Sequence, residues 1–135
     1  PSTARIVAAK LLLFGESTSI SFPSGNSYYT GSGNPENSCL VQRVTGGNWD
    51  QTTITWNNMP ATTTLGQDTI LPSNSAFNYN AITDVTKLVA AMVKSGKNYG
   101  FCLRMVTEDP YRVMLFATSE STEPSLRPKL IIRYR

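Results

Sequence analysis

The chain offers few groups that could do chemistry. It has 135 residues and no histidine. That removes Ser-His-Asp and Cys-His catalysis and most zinc sites, which need an imidazole. Its carboxylates are Glu16, Glu36, Asp50, Asp68, Asp84, Glu108, Asp109, Glu120 and Glu123. A glycosidase needs two such groups facing each other across a cleft, and no spacing here defines such a pair. Glu108, Asp109 or Asp50 could give Ca²⁺ an oxygen ligand, but no loop has dense acidic spacing, so no metal or other cofactor is expected. No glycine-rich phosphate loop follows a strand and opens a helix. The reading is of a protein that is not an enzyme.

The aromatic side chains remain. Tyrosine and tryptophan can stack on the apolar CH faces of sugar rings while neighbouring polar groups read the hydroxyls. Tyr28 and Tyr29 lie in a loop-rich region and Trp49 follows Gly46-Gly47. These positions could reach solvent. Tyr111-Arg112, with Arg104 on the outward side of the neighbouring strand, could form a basic aromatic face suited to an acidic polysaccharide. Trp56 closes a Thr-Ile-Thr-Trp run and reads as a core residue that fixes strand register. Cys39 and Cys102 both fall in predicted strands. An oxidising compartment would pair them and a reducing one would bury them as thiols. Alternation permits a bridge without requiring it.

The elements that must position these groups are mostly strands. Forty per cent of residues are hydrophobic and 16% charged, enough apolar material for one core. The net charge is +3 with scattered Lys and Arg, which gives no stripe of the kind a nucleic-acid binder shows. No apolar run approaches the ~20 residues of a membrane-spanning helix. Strands are expected over 4–14, 19–22, 39–45, 52–56, 67–71, 77–82, 99–106, 111–117 and 128–135, with 27–30 a strand or a loop and the first strand buried on both faces or bulged. Helical spacing of Val85, Leu88, Val89, Met92 and Val93 predicts one short α-helix over about 84–95. Asp84 can cap its start, Lys94 sits in its last turn and Gly96 can provide its left-handed exit. Most of these segments are short and evenly spaced, the pattern of an all-β, antiparallel sandwich of jelly-roll type, a single domain over 1–135.

Several landmarks then fall in order. Ala4 to Leu13 resembles an "I-x-x-A-x-L-x-L" strand. Trp49-Asp50-Gln51-Thr52-Thr53-Ile54-Thr55-Trp56-Asn57-Asn58-Met59-Pro60 resembles a "W-x-E-x-T-I-T-W-N-N-x-P" signature, with Gln51 where an acid is usual. Asp84 to Val89 is similar to "D-V-T-x-x-V", Asn98 to Leu103 to "N-Y-G-F-x-L", and Phe116 to Glu120 with Arg127 to Ile132 to a closing "F-x-S-x-E … R-P-x-L-x-I". Together they resemble the DNRLRE-type secreted β-sandwich domains, part of which is classed as carbohydrate-binding. The resemblance implies a non-catalytic extracellular module whose partners are a polysaccharide or other extracellular protein chains. It also implies further strands ahead of Ala4, so the chain reads as a processed piece of a longer precursor. Without those strands an open sheet edge would be a pairing template for an oligomer or filament. On this basis the favoured role is structural or adhesive assembly, with carbohydrate binding the alternative.

Overall fold

A computed structural model describes residues 4–29 and 31–135. The expectations for Pro1 and Thr30 lie outside them. Six strands and one helix follow in the order β1 (Ile6–Leu13), β2 (Cys39–Val44), β3 (Thr62–Ile70), β4 (Ala81–Asp84), α1 (Thr86–Ser95), β5 (Phe101–Met105) and β6 (Lys129–Tyr134). They form two antiparallel three-stranded sheets with strand orders β4-β1-β6 and β3-β2-β5. The all-β sandwich with one short helix is therefore the fold.

Alternation fixes which side chains face inward. Ala9, Leu11 and Leu13 of β1 meet Cys39 and Val41 of β2 and Ile70 of β3 in the core, joined by Ala81, Val85, Leu88 and Val89. The bulge expected in the first strand is present, between Ile6 and Ala8 where β1 pairs with β6. Beside it the Thr86 hydroxyl accepts a hydrogen bond from Ala9 N at 2.9 Å, and Val85 N donates to Ala9 O at 3.0 Å. The helix start is thus welded to β1. Asp84 acts one residue earlier than an N-cap: its carboxylate accepts from Thr86 N at 2.8 Å. These Thr86 bonds hold the Asp84 carboxyl below its ordinary pKa. The far end behaves as expected, with Lys94 in the last turn and Gly96 at φ 67°. Gly66 of β3 takes the left-handed φ of 78°, and a Cβ there would stand a tight 3.2 Å from Lys87 Cβ of α1.

Three predicted strands are not strands. Residues 19–22 are bends and coil. Residues 111–117 run without a ladder because loop side chains take their amides: Val113 N donates to Ser27 Oγ at 2.9 Å and Leu115 N to Asn26 Oδ1 at 2.7 Å. Residues 52–56 end in a 3₁₀ turn at Trp56–Asn58. Here Asp50 Oδ1 accepts from Thr52 N at 2.7 Å, and Asn58 Oδ1 accepts from Thr55 N at 2.5 Å. Local side-chain bonds of this kind compete with a ladder and outweigh the β propensity of Thr-Thr-Ile-Thr. Trp56 is consequently no core residue; it is 66% exposed.

The cysteines do not pair. Both are free. Cys39 stands opposite Met105, whereas Cys102 stands opposite Gln42. The two sulfurs therefore leave opposite faces of the sheet, from positions about 10 Å apart along the strand direction, beyond disulfide reach. Burial pushes the Cys39 thiol up to about 11, which leaves it protonated and unreactive at neutral pH. Reducing agent should leave the melting temperature unchanged, and unfolded protein should titrate as two free thiols. A bridged species in non-reducing mass analysis would contradict the register.

The side of the sandwich bounded by β5 and β6 is open. The register sets Leu130 opposite Leu11 and Ile132 opposite Ala9, on the core-facing side of the sheet. They nevertheless remain 44% and 40% exposed, and every residue of β6 is exposed.

Candidate functional site

Three loops converge at one end of the sandwich. In the first, Phe22 N donates to Ser19 Oγ at 3.1 Å, and Gly25 N closes a turn onto Phe22 O at 2.9 Å. Pro23 and Ser24 occupy the turn's centre, and Phe22 stays 46% exposed. In the second, Tyr29 N donates to Ser32 Oγ at 3.3 Å while Ser32 N returns to Tyr29 O at 2.9 Å. In the third, Asp109 directs the turn: its carboxylate accepts from Tyr111 N at 3.2 Å and its carbonyl from Arg112 N at 3.0 Å. Tyr111 is thereby held 87% exposed.

The rings of Phe22, Tyr29 and Tyr111 border one cleft of about 390 Å³, together with Ser24, Asn34 and Pro110. A cleft edged by aromatic rings and short polar side chains can stack on sugar CH faces and bond their hydroxyls.

Buried amides hold these loops in place. Asn37 is fully buried, and its side chain donates to Val113 O at 2.7 Å and to Ser73 Oγ at 2.9 Å while accepting from Ser73 N at 2.9 Å. Ser73 Oγ donates in turn to the Tyr28 carbonyl. Asn26, also buried, donates from its amide to Ser75 O at 2.9 Å. These bonds tie the loops bearing Phe22, Tyr29 and Tyr111 to one rigid base, so the rings are pre-positioned and little is lost in ordering them on binding.

Gly25 makes the cleft wall sterically possible. Its φ is +77°, and a Cβ there would run into the Ala76 carbonyl oxygen, the same oxygen that accepts Asn26 N at 2.7 Å. Gly25→Ala should therefore destabilise the protein by about 2–3 kcal/mol, read as a lowered urea midpoint, and weaken ligand binding beyond what that loss of fold explains. Unchanged stability would show that the turn has another conformation.

The remaining predicted site residues fall elsewhere. The indole nitrogen of Trp49 donates to Tyr99 O at 2.8 Å, which staples the 48–58 segment to the start of β5; Trp49 also lines a cleft of about 480 Å³ with Asp50, Ile54 and Asn58. Tyr28 contributes its carbonyl to the buried network. Arg104 makes a two-nitrogen contact with Glu108, at 3.0 and 2.6 Å. Arg112 Nη1 donates to Glu36 O at 2.5 Å. Each arginine thus has a partner close by, Glu108 for Arg104 and the Glu36 carbonyl for Arg112. Tyr79 donates its hydroxyl to Leu71 O at 2.9 Å, and burial raises its pKa.

Two rings escaped the sequence reading. Phe22 reads there as an alternating strand residue, although the adjoining Pro23-Ser24-Gly25-Asn26 turn is the signal that lifts it to the surface. Trp56 reads as core and instead overhangs a second cleft of about 540 Å³ whose lining includes Leu103, Met105, Met114 and Phe116, with the Arg104–Glu108 pair beside it. Pro110 lines both clefts. Among the described residues no group of three or more His, Cys, Asp or Glu side chains could hold a metal ion, and no helix is long and apolar enough to cross a membrane.

The fold and the landmark sequences are those of a β-sandwich module. The profile of carbohydrate-binding module family 96 matches residues 3–134, and the chain belongs to that family. Neither a curated protein nor a solved structure matches it. The family is one of non-catalytic binding modules, and membership favours the carbohydrate reading over the structural or adhesive one that the sequence placed first.

Proposed function

We propose that this chain is an extracellular module that binds a polysaccharide in the cleft bordered by Phe22, Tyr29 and Tyr111. The observation that carries the reading is the convergence of these three rings, from loops distant in sequence, beside Ser24 and Asn34. Tyr111 offers the most accessible stacking face, and Phe22 and Tyr29 line the same cleft. The buried amide network under the loops pre-positions them for a sugar chain. Affinity electrophoresis against a panel of soluble neutral and acidic polysaccharides tests this. Retardation by at least one polymer, relieved in Tyr111→Ala, is the expected result. A panel without any retardation contradicts it.

One specific observation favours a second, compatible role. β6 is exposed along its whole length, and its core-facing Leu130 and Ile132 are uncovered. An extended segment bearing inward apolar residues would complete the sandwich there, supplied by a longer precursor or by another chain. Native mass measurement reads the difference: self-association of the 135-residue chain supports donation between chains, and a discrete monomer contradicts it.

A further inference from the structure

We infer that β6 receives an extended segment of another polypeptide that carries apolar side chains on its inner face and carboxylates on its outer face; this rests on the completion at β6 proposed above and states the chemistry of what completes it. Among the described residues β6 ends its sheet, paired with β1 on one side and with no strand on the other. Alternate residues of such an edge turn their amides and carbonyls outward without a ladder partner.

The side chains of β6 form two rows. Leu130 and Ile132 face the core side and remain exposed, an apolar row without cover. The outer row is Lys129, Ile131 and Arg133. Register sets these opposite Leu12, Lys10 and Ala8 of β1, so no carboxylate serves the two cations from that side. Lys129 stands over the Phe14 ring, its nitrogen 5.3 Å from the centroid, and the one ion pair among the described residues, Arg104 with Glu108, lies elsewhere.

These rows disfavour a second β6 as the occupant. Opposed residues of antiparallel strands share a face, which restricts a self-pair to a few registers. Ile131 against Ile131 sets Lys129 against Arg133 twice, and Ile132 against Ile132 sets Lys129 against Arg135 twice. Like charges directly opposite each other destabilise a pair. The same rows favour a strand of different sequence. Lys129 and Arg133 lie four residues apart on one face, with Leu130 and Ile132 between them on the other. The complement is acid, apolar, any residue, apolar, acid. Edge cations can also serve only to prevent pairing, but that role gives no reason for Leu130 and Ile132 to be apolar and uncovered.

The experiment offers the intact chain three dye-labelled peptides with common flanks and different centres: Glu-Val-Thr-Val-Glu, Lys-Val-Thr-Val-Lys, and Val-Glu-Thr-Glu-Val, which turns the acids inward. Fluorescence anisotropy gives each Kd at about 0.05 and about 0.5 M salt, and amide exchange shows whether β6 is the strand protected. The first peptide should protect β6 and bind about tenfold or more tighter than the other two at low salt, because two cross-strand pairs change sign or face. Its margin over the lysine peptide should shrink at high salt. Arg133→Glu, at an exposed position, should narrow that margin while leaving the urea midpoint nearly unchanged. Equal and salt-insensitive binding of the glutamate and lysine peptides at β6 would overturn the charge assignment and leave completion of the sandwich standing. Protection of β6 by self-association without peptide would make a second copy the occupant and overturn the inference. Binding of none of the three would overturn it too, and a monomeric chain in the mass measurement would then remove the completion role with it.

Discussion

Tyr111→Ala is expected to weaken the proposed polysaccharide binding by about tenfold or more, the equivalent of about 1.4 kcal/mol from one lost stacking face, and to leave the melting temperature within about a degree of the parent. The asymmetry follows from where the ring stands. Tyr111 is 87% exposed, and it is placed by its backbone bond to Asp109 instead of by packing of the ring. Truncation therefore removes a binding surface and almost no folding energy. Removing Phe22 or Tyr29 as well should deepen the loss, because the rings line one cleft. Calorimetry of single and double variants checks this. Unchanged affinity in Tyr111→Ala would move the binding site elsewhere on the sandwich.

Asn37→Ala has the opposite signature, a large loss of stability that takes binding with it. Its side chain lies at 0% exposure with three hydrogen bonds, so truncation strands the buried Ser73 N, whereas Val113 O keeps the bond from Ser27 N at 3.0 Å. Leaving that buried donor unpaired costs about 1–3 kcal/mol, which lowers the urea midpoint. The loops carrying Tyr29 and Tyr111 then lose their common base, and the slot they form should loosen in whatever protein remains folded. Asn37→Asp provides the discriminating comparison. It keeps the acceptor for Ser73 N and loses the donor to Val113 O, and it buries a carboxyl, so it should also be destabilised, more so at neutral than at acidic pH. The sign follows from burial: the folded-state pKa rises above the unfolded value, and the protonated form that folding favours prevails at low pH. A variant as stable as the parent would mean that the 37–73–113 network is not what holds the loops.

Legibility from sequence followed the range of the forces at work. β5 is readable because Phe101, Leu103 and Met105 alternate with Cys102 and Arg104. α1 is readable because Leu88, Val89 and Met92 recur on one stripe and Gly96 can turn left-handed. The 52–56 run is misread for an equally physical reason. Its β-branched residues favour a strand, yet Asp50 and Asn58 capture its amides within a few residues, and Trp56 is carried outward on the resulting 3₁₀ turn. Residues 111–117 are misread because their partners are Asn26 and Ser27, remote side chains whose role no local pattern reveals. The cysteine pairing fails on register: two strand positions can be named from alternation, but the offset of Cys39 from Cys102 is a property of the assembled sheet.

The site shows the same division. Tyr29 is recognisable singly as a tyrosine in a loop-rich stretch, and Tyr111 as part of an aromatic, basic strand face. Their convergence is not, because it depends on Asn37, Ser73 and Asn26 drawing separate loops onto one base. The partners of Arg104 and Arg112, Glu108 and the Glu36 carbonyl, are not legible from the charge count of the sequence. The stretch from Trp49 to Pro60 carries family identity and stands apart from the aromatic cleft.

The most direct measurement of the central claim is an amide-resonance titration of the isotopically labelled chain with an oligosaccharide of the polymer that binds best. The shifts should concentrate in residues 21–34 and 110–113, the loops that carry Phe22, Tyr29 and Tyr111. Shifts concentrated around Trp49 and residues 50–58, or along β6, with the three loops unmoved, would contradict it.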